Sequence, residues 1–137
     1  MYKAWKYGAA IDGMVGRTFV SVVQNKSNKG DDTIVFTEAD GTRWVFAHEQ
    51  ECCEEVSIED VSGDLSDLVG TPLLRAEEVD SDPPAGHEPG PESETWTFYK
   101  FATVKGDVDV RWYGASNGYY SESVDLYRYP IGCEDSA

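Results

Sequence analysis

At 137 residues the chain has the length of one domain, and 40% hydrophobic content with four Trp, eight Tyr and five Phe supplies a core without help from disulfides or metals. That composition excludes an intrinsically disordered chain. A net charge of −15, with no Lys/Arg patch to release counterions, excludes direct nucleic-acid binding and favours basic partners or cations.

No stretch approaches the ~20 apolar residues of a membrane span, so no membrane partner is expected. Met1 to Ala10 lacks the apolar centre of a signal peptide. Three cysteines without a secretion signal point to reduced thiols in a cytoplasm. A single domain over 1–137 is expected, with an arm over 1–16, a Pro/Gly-rich acidic loop over 80–94 and a tail over 130–137.

In chain order, Thr18–Val23 is β-branched and aromatic and predicts a first strand. Thr33–Thr37 and Thr42–Ala47 flank Glu38-Ala39-Asp40-Gly41, a hairpin in which Gly41 takes the left-handed position. Val56–Val61 alternates apolar and polar residues as a half-buried strand does. Ser62 or Asp64 caps a helical turn over Asp64–Val69, which Gly70 ends and Pro72 prevents from continuing. Leu73–Val79 reads as a strand, and Thr95–Val104 as another, rich in Trp, Phe, Tyr and Thr. In Val108–Tyr113, residues Val108, Val110 and Trp112 share one face and Asp109, Arg111 and Tyr113 the other. Asn117-Gly118 predicts a type I′ turn, after which Tyr119–Tyr129 returns. Residues 95–129 are therefore expected to form a three-stranded antiparallel meander. The fold class expected is mainly β, a β-rich α+β domain: an antiparallel sheet or partly open barrel of hairpins with one or two short helical turns.

The charge is unevenly spread. Residues 49–94 hold fifteen Asp and Glu against one base, Arg75, a net of −14, which leaves −1 for the other 91 residues. The acidity is localised, and Glu54, Glu55, Glu59, Asp60, Asp64 and Asp67 are candidate contacts for a basic partner. Around the Asn-Gly turn, Trp112, Tyr113, Tyr119 and Tyr120 offer stacking planes, Arg111 a cation and Asn117 an amide. These are candidate contacts for a nucleotide or a partner, although alternation sends about half of the rings into the core.

Other chemistry is thinly represented. His48, Cys52 and Cys53 are weak metal candidates: thiolate and imidazole suit zinc, but adjacent cysteines do not readily share one tetrahedral ion. The remaining candidates, His87 and Cys133, lie in the Pro-rich loop and near the carboxyl terminus. The surrounding glutamates would raise a thiol's pKa, which argues against a catalytic cysteine. No EF-hand spacing, P-loop, GxSxG or HExxH motif is present. No catalytic residue and no cofactor is expected.

The strings His48 through Cys52-Cys53-Glu54, Gly63-Asp64-Leu65 and Asp67-Leu68-Val69-Gly70, with Trp96–Lys100, Arg111-Trp112 and Ser116-Asn117-Gly118-Tyr119-Tyr120-Ser121, together resemble a family of small, functionally uncharacterised proteins carried mainly by tailed bacteriophages. The resemblance runs from about residue 34 to residue 124. It implies a phage-like context, with a host cytoplasm as the location, and transfers no catalytic residue. The expected function is stoichiometric binding to a basic host protein, such as a nucleic-acid-handling or defence enzyme, whose groove the acidic segment enters as a mimic of nucleic-acid charge. The alternatives are a nucleotide-binding sponge built on the aromatic hairpin, with Arg111 and Arg128 compensating the phosphate, and a small metal-dependent enzyme at His48 and Cys52.

Overall fold

Nine strands form two antiparallel sheets in the computed structural model, which describes residues 7–8, 10–26, 31–48, 53–81, 86, 88, 93–118 and 122–130. The strands are β1 (Tyr7–Gly8), β2 (Phe19–Lys26), β3 (Asp32–Glu38), β4 (Arg43–Ala47), β5 (Glu55–Ser62), β6 (Arg75–Ser81), β7 (Ser93–Thr103), β8 (Gly106–Ser116) and β9 (Asp125–Tyr129). One sheet has the order β1-β9-β4-β3-β2 and the other β5-β8-β7-β6. Among the described residues the sheets remain separate and no barrel closes. Helical structure among the described residues is confined to two 3-10 turns, Ile11–Met14 and Leu65–Leu68.

The local signals act as their chemistry requires. β3 and β4 pair around a tight reversal in which Gly41 has φ of +96°. Asp64 caps the second 3-10 turn by accepting the Ser66 amide; the turn ends at Leu68, with Val69 already extended, and Gly70 follows at φ of +90°. In β8, Val108, Val110 and Trp112 all face inward and are at most 2% exposed.

The core lies between the sheets and is mostly aromatic. The Phe36 ring meets Phe101 of the opposite sheet at 5.0 Å between centroids, and Phe46 meets Tyr99 at 4.8 Å. Met14, Leu68 and Leu73 join the same cluster and are fully buried. Burial of each such side chain contributes about 1.5–3 kcal/mol, so these inter-sheet contacts hold the two layers in register.

β5 departs from plain alternation. Its register with β8 shifts between Ile58 and Asp60. In a regular strand Val56, Ile58 and Asp60 would all face the core. The bulge turns Asp60 outward beside Glu59, both exposed, and lets Val61 pack inward. The Ile58 amide donates to Asp32 Oδ2 at 2.8 Å, a contact from the other sheet.

The expected meander is corrected. β7 and β8 pair along their full length, but the far edge of β8 is taken by β5. β9 crosses into the other sheet, between β4 and β1. Nor is the turn type I′, which needs positive φ at both central residues: Gly118 has φ of +94°, but no described residue other than glycine has a positive φ. The chain instead passes Glu122 across the inner face of β8 at Gly114. A Cβ on Gly114 would lie 2.7 Å from the Glu122 carbonyl oxygen. Glycine there is what permits the crossing.

Candidate functional site: an acidic sheet and its cleft

The acids predicted to form a surface divide into three groups. Glu55, Glu59 and Asp60 are exposed on β5, at one edge of the second sheet. Asp64 and Asp67 belong to the second 3-10 turn, and hydrogen bonds from Ser66, the backbone amide first and then the hydroxyl, hold the Asp64 carboxyl below its ordinary value. Glu54 lies inside, with its side chain fully buried against His48.

His48 and Glu54 join the end of β4 to the start of β5. His48 Nδ1 lies 2.7 Å from the Ser123 carbonyl oxygen, and Nε2 lies 2.7 Å from Glu54 Oε2. A carbonyl only accepts, so Nδ1 carries a proton, and a second proton sits between Nε2 and the carboxyl. Neither ring nitrogen is open to a metal. Cys53 is exposed and disulfide-bonded, a correction to the expectation of reduced thiols, and it has no thiolate to offer a metal. Among the described residues no group of three or more His, Cys, Asp or Glu is placed to hold a metal ion. Cys52, His87 and Cys133 lie outside the described residues.

The described members of the predicted aromatic site lie on different faces of the second sheet. Trp112 is a core residue at 2% exposure. Tyr113 is on the outer face of the second sheet, where its ring meets Trp96 at 5.3 Å and its hydroxyl donates to Glu94 Oε2 at 2.6 Å. That bond, with burial second, pushes the Tyr113 phenol up to about 12. Arg111 lies beside it, its Nε 2.7 Å from Glu59 Oε1. Asn117 is exposed. Tyr119 and Tyr120 fall outside the described residues. Arg128, the second cation invoked for a phosphate, is on β9 of the other sheet with its guanidinium 5.6 Å from the Trp44 ring. Arg111 and Arg128 therefore do not converge on one ligand.

Sequence reasoning missed a cleft between the sheets. One wall is β9 with the segment leading into it; the other is β6 and β7. Two adjoining cavities, of about 530 and 300 Å³, share Glu78 and Val124 in their walls. The larger is floored by Phe46, Tyr99 and Leu126. The smaller is lined by Thr95, Thr97, Asp80 and Glu122, among other residues. Asp125 adds a fourth carboxylate, and among the described residues no Lys, Arg or His lines either cavity.

Each wall has a local cause. Glu78 and Asp80 pair with Tyr99 and Thr97, so on this edge strand the inward face changes from Ala76 to carboxylates where the sheet outruns the core. Burial alone would raise the Glu122 carboxyl, but donation from the Ser116, Thr95 and Ser93 hydroxyls outweighs it and holds the group below its ordinary value. The Ser116 bond is 2.6 Å and the Thr95 bond 2.7 Å. Burial, and then the adjacent Glu78 carboxylate, raise the Tyr99 phenol above the usual tyrosine value. The one signal in the sequence was the polar substitution of inward positions in β6, legible only once the register is known.

A family model described as a domain of unknown function, DUF7448, matches residues 12–126. The chain belongs to that family. No curated protein and no solved structure matches it. In this DUF7448 domain the match runs from the first 3-10 turn into β9, so it takes in β2 to β8 and all four cleft carboxylates. No helix among the described residues is long and apolar enough to cross a membrane.

Proposed function

We propose that this protein is a binding module that acts by stoichiometric contact between its acidic sheet and a basic protein. The observation that supports the reading is the division of charge between the sheets. The strands of the second sheet carry nine acids against three bases, Arg75, Lys100 and Arg111. The strands of the first carry three acids and three bases. A charge imbalance confined to one layer gives the molecule a charged side, and such a field accelerates encounter with a complementary surface.

The resemblance to phage-borne proteins makes a host protein the natural partner, and a nucleic-acid-handling or defence enzyme supplies the basic groove. In this reading the sheet takes the place of a phosphate backbone.

The test is capture from host lysate at low and high salt, using the wild-type protein beside an E55Q/D60N/E77Q variant. These three residues are exposed on the edge strands. A discrete basic protein retained at low salt, released at high salt and lost with the variant is the expected result. Capture that is indifferent both to salt and to the variant would overturn the reading.

A further inference from the structure

We propose that the cleft between β6 and the segment leading into β9 receives a single lysine or arginine side chain from a basic segment of the partner. The inference deepens the reading above and rests on it for the partner being a protein. It concerns a site that the exposed acids of β5 do not form.

The cleft selects for charge and for shape. Its walls present Glu78, Asp80, Glu122 and Asp125, with no basic residue among the described ones that line the two cavities. An anion is repelled from every side. A bare metal ion is not what the cleft is built for: its carboxylates are strung along its length, and no metal-holding group occurs among the described residues. The floor of the larger cavity is Phe46, Tyr99 and Leu126, an apolar surface that an ion would leave unused. A ligand that satisfies both ends has an apolar stem and a cationic head. Lysine and arginine side chains have that construction, burying methylenes while the head finds acceptors.

The acceptors are already arranged. Glu122 is fixed by the Ser116 and Thr95 hydroxyls and remains ionised, so it needs no rearrangement to receive a donor. Glu78 stands where the apolar and polar cavities meet, at the point a side-chain head reaches after passing over Tyr99. Both Glu78 and Asp80 are exposed, so the entry is open to solvent.

The probe is a blocked seven-residue peptide with one central lysine between alanines and leucines, followed by the NMR resonances of the Val124 and Leu126 methyls and the Tyr99 ring. Three comparisons accompany it: the same peptide with norleucine in place of lysine, free n-butylamine, and an E78Q/D80N variant of the protein. The lysine peptide is expected to shift those resonances, and norleucine to bind about tenfold or more weakly, the scale of one charge-assisted hydrogen bond. The E78Q/D80N variant is expected to lose the response while keeping the wild-type spectrum elsewhere, and butylamine to shift the same resonances more weakly than the peptide. Equal binding of the lysine and norleucine peptides, shifts confined to other residues, or an unchanged response in E78Q/D80N would each overturn the proposal. Butylamine matching the peptide would also overturn it, by making the cleft a free-amine site. The E55Q/D60N/E77Q variant keeps the cleft intact: a cleft that ignores the lysine peptide while lysate capture stays sensitive to salt and to this variant is failure of the cleft alone, and peptide binding with capture indifferent to both is failure of the acidic-sheet reading alone.

Discussion

His48 Nε2 and Glu54 Oε2 lie 2.7 Å apart with both side chains almost wholly buried, and the pair bridges the two sheets. Removing one partner leaves the other buried with an unanswered charge or lone pair. Glu54→Ala or His48→Ala is therefore expected to cost about 3–5 kcal/mol in urea unfolding, while the apolar pair H48L/E54L costs less than either. A double variant as unstable as the sum of the singles would contradict this account.

Gly114 and Gly41 give a controlled pair of substitutions. A Cβ at Gly114 would come within 2.8 Å of Glu122 Cβ as well as striking its carbonyl, whereas a Cβ at Gly41 would meet nothing within 4 Å. Gly41→Ala should cost only the left-handed backbone penalty, about 1–2 kcal/mol. Gly114→Ala should cost about 1–3 kcal/mol in overpacking and, in addition, loosen Glu122 from Ser116 and Thr95. Comparing the unfolding midpoints, together with the Thr95 and Ser116 amide shifts, checks both parts.

Acid should expose the role of Glu122. Its carboxyl is held below the ordinary value in the folded chain, so its contribution is fully present above the unfolded-state pKa and is lost as pH falls through the folded value. Glu122→Gln is expected to flatten the fall of stability with pH in that acid window and to leave the slope between pH 6 and 8 unchanged. Denaturant midpoints measured across the acid range decide the matter.

Tyr113 gives the opposite sign at the other end of the scale. With the phenol at about 12, the neutral form is favoured by folding. The contribution is complete below the unfolded-state pKa and disappears as pH rises through the folded value. Ultraviolet titration should show one slow-rising tyrosinate near 12 that Tyr113→Phe removes and Glu94→Gln shifts downward. An unchanged titration in Glu94→Gln would remove the hydrogen bond to Glu94 as its cause.

What the sequence made legible was local. The β3–β4 hairpin, the capped 3-10 turn and the inward face of β8 each follow from neighbours a few residues apart. The bulge at Ile58 to Asp60 was hidden because a strand's alternation survives it over only two residues on either side. The meander failed for a different reason. Asn117-Gly118 announces a reversal of the chain, but β9's pairing depends on whether an edge is free, and β5 had already filled that edge from a segment some fifty residues earlier. The four cleft carboxylates come from β6, from the run into β9 and from β9 itself, with no spacing that could mark them as one group. The described part of the stretch that looked most like a binding hairpin also serves a crossing: Gly114 clears the way, Ser116 grips Glu122, and Gly118 turns the chain.

The bulge in β5 carries one more implication. At neutral pH a protein of charge −15 repels its own copies, but in acid that repulsion fades as the carboxyls take up protons. The contour of the sheet border does not fade with it. An incoming strand would need a regular row of backbone donors along β5, and the row is broken by the register shift between Ile58 and Asp60. On that border the resistance to fibre growth is built into the shape of the main chain, and it persists when the charge is gone.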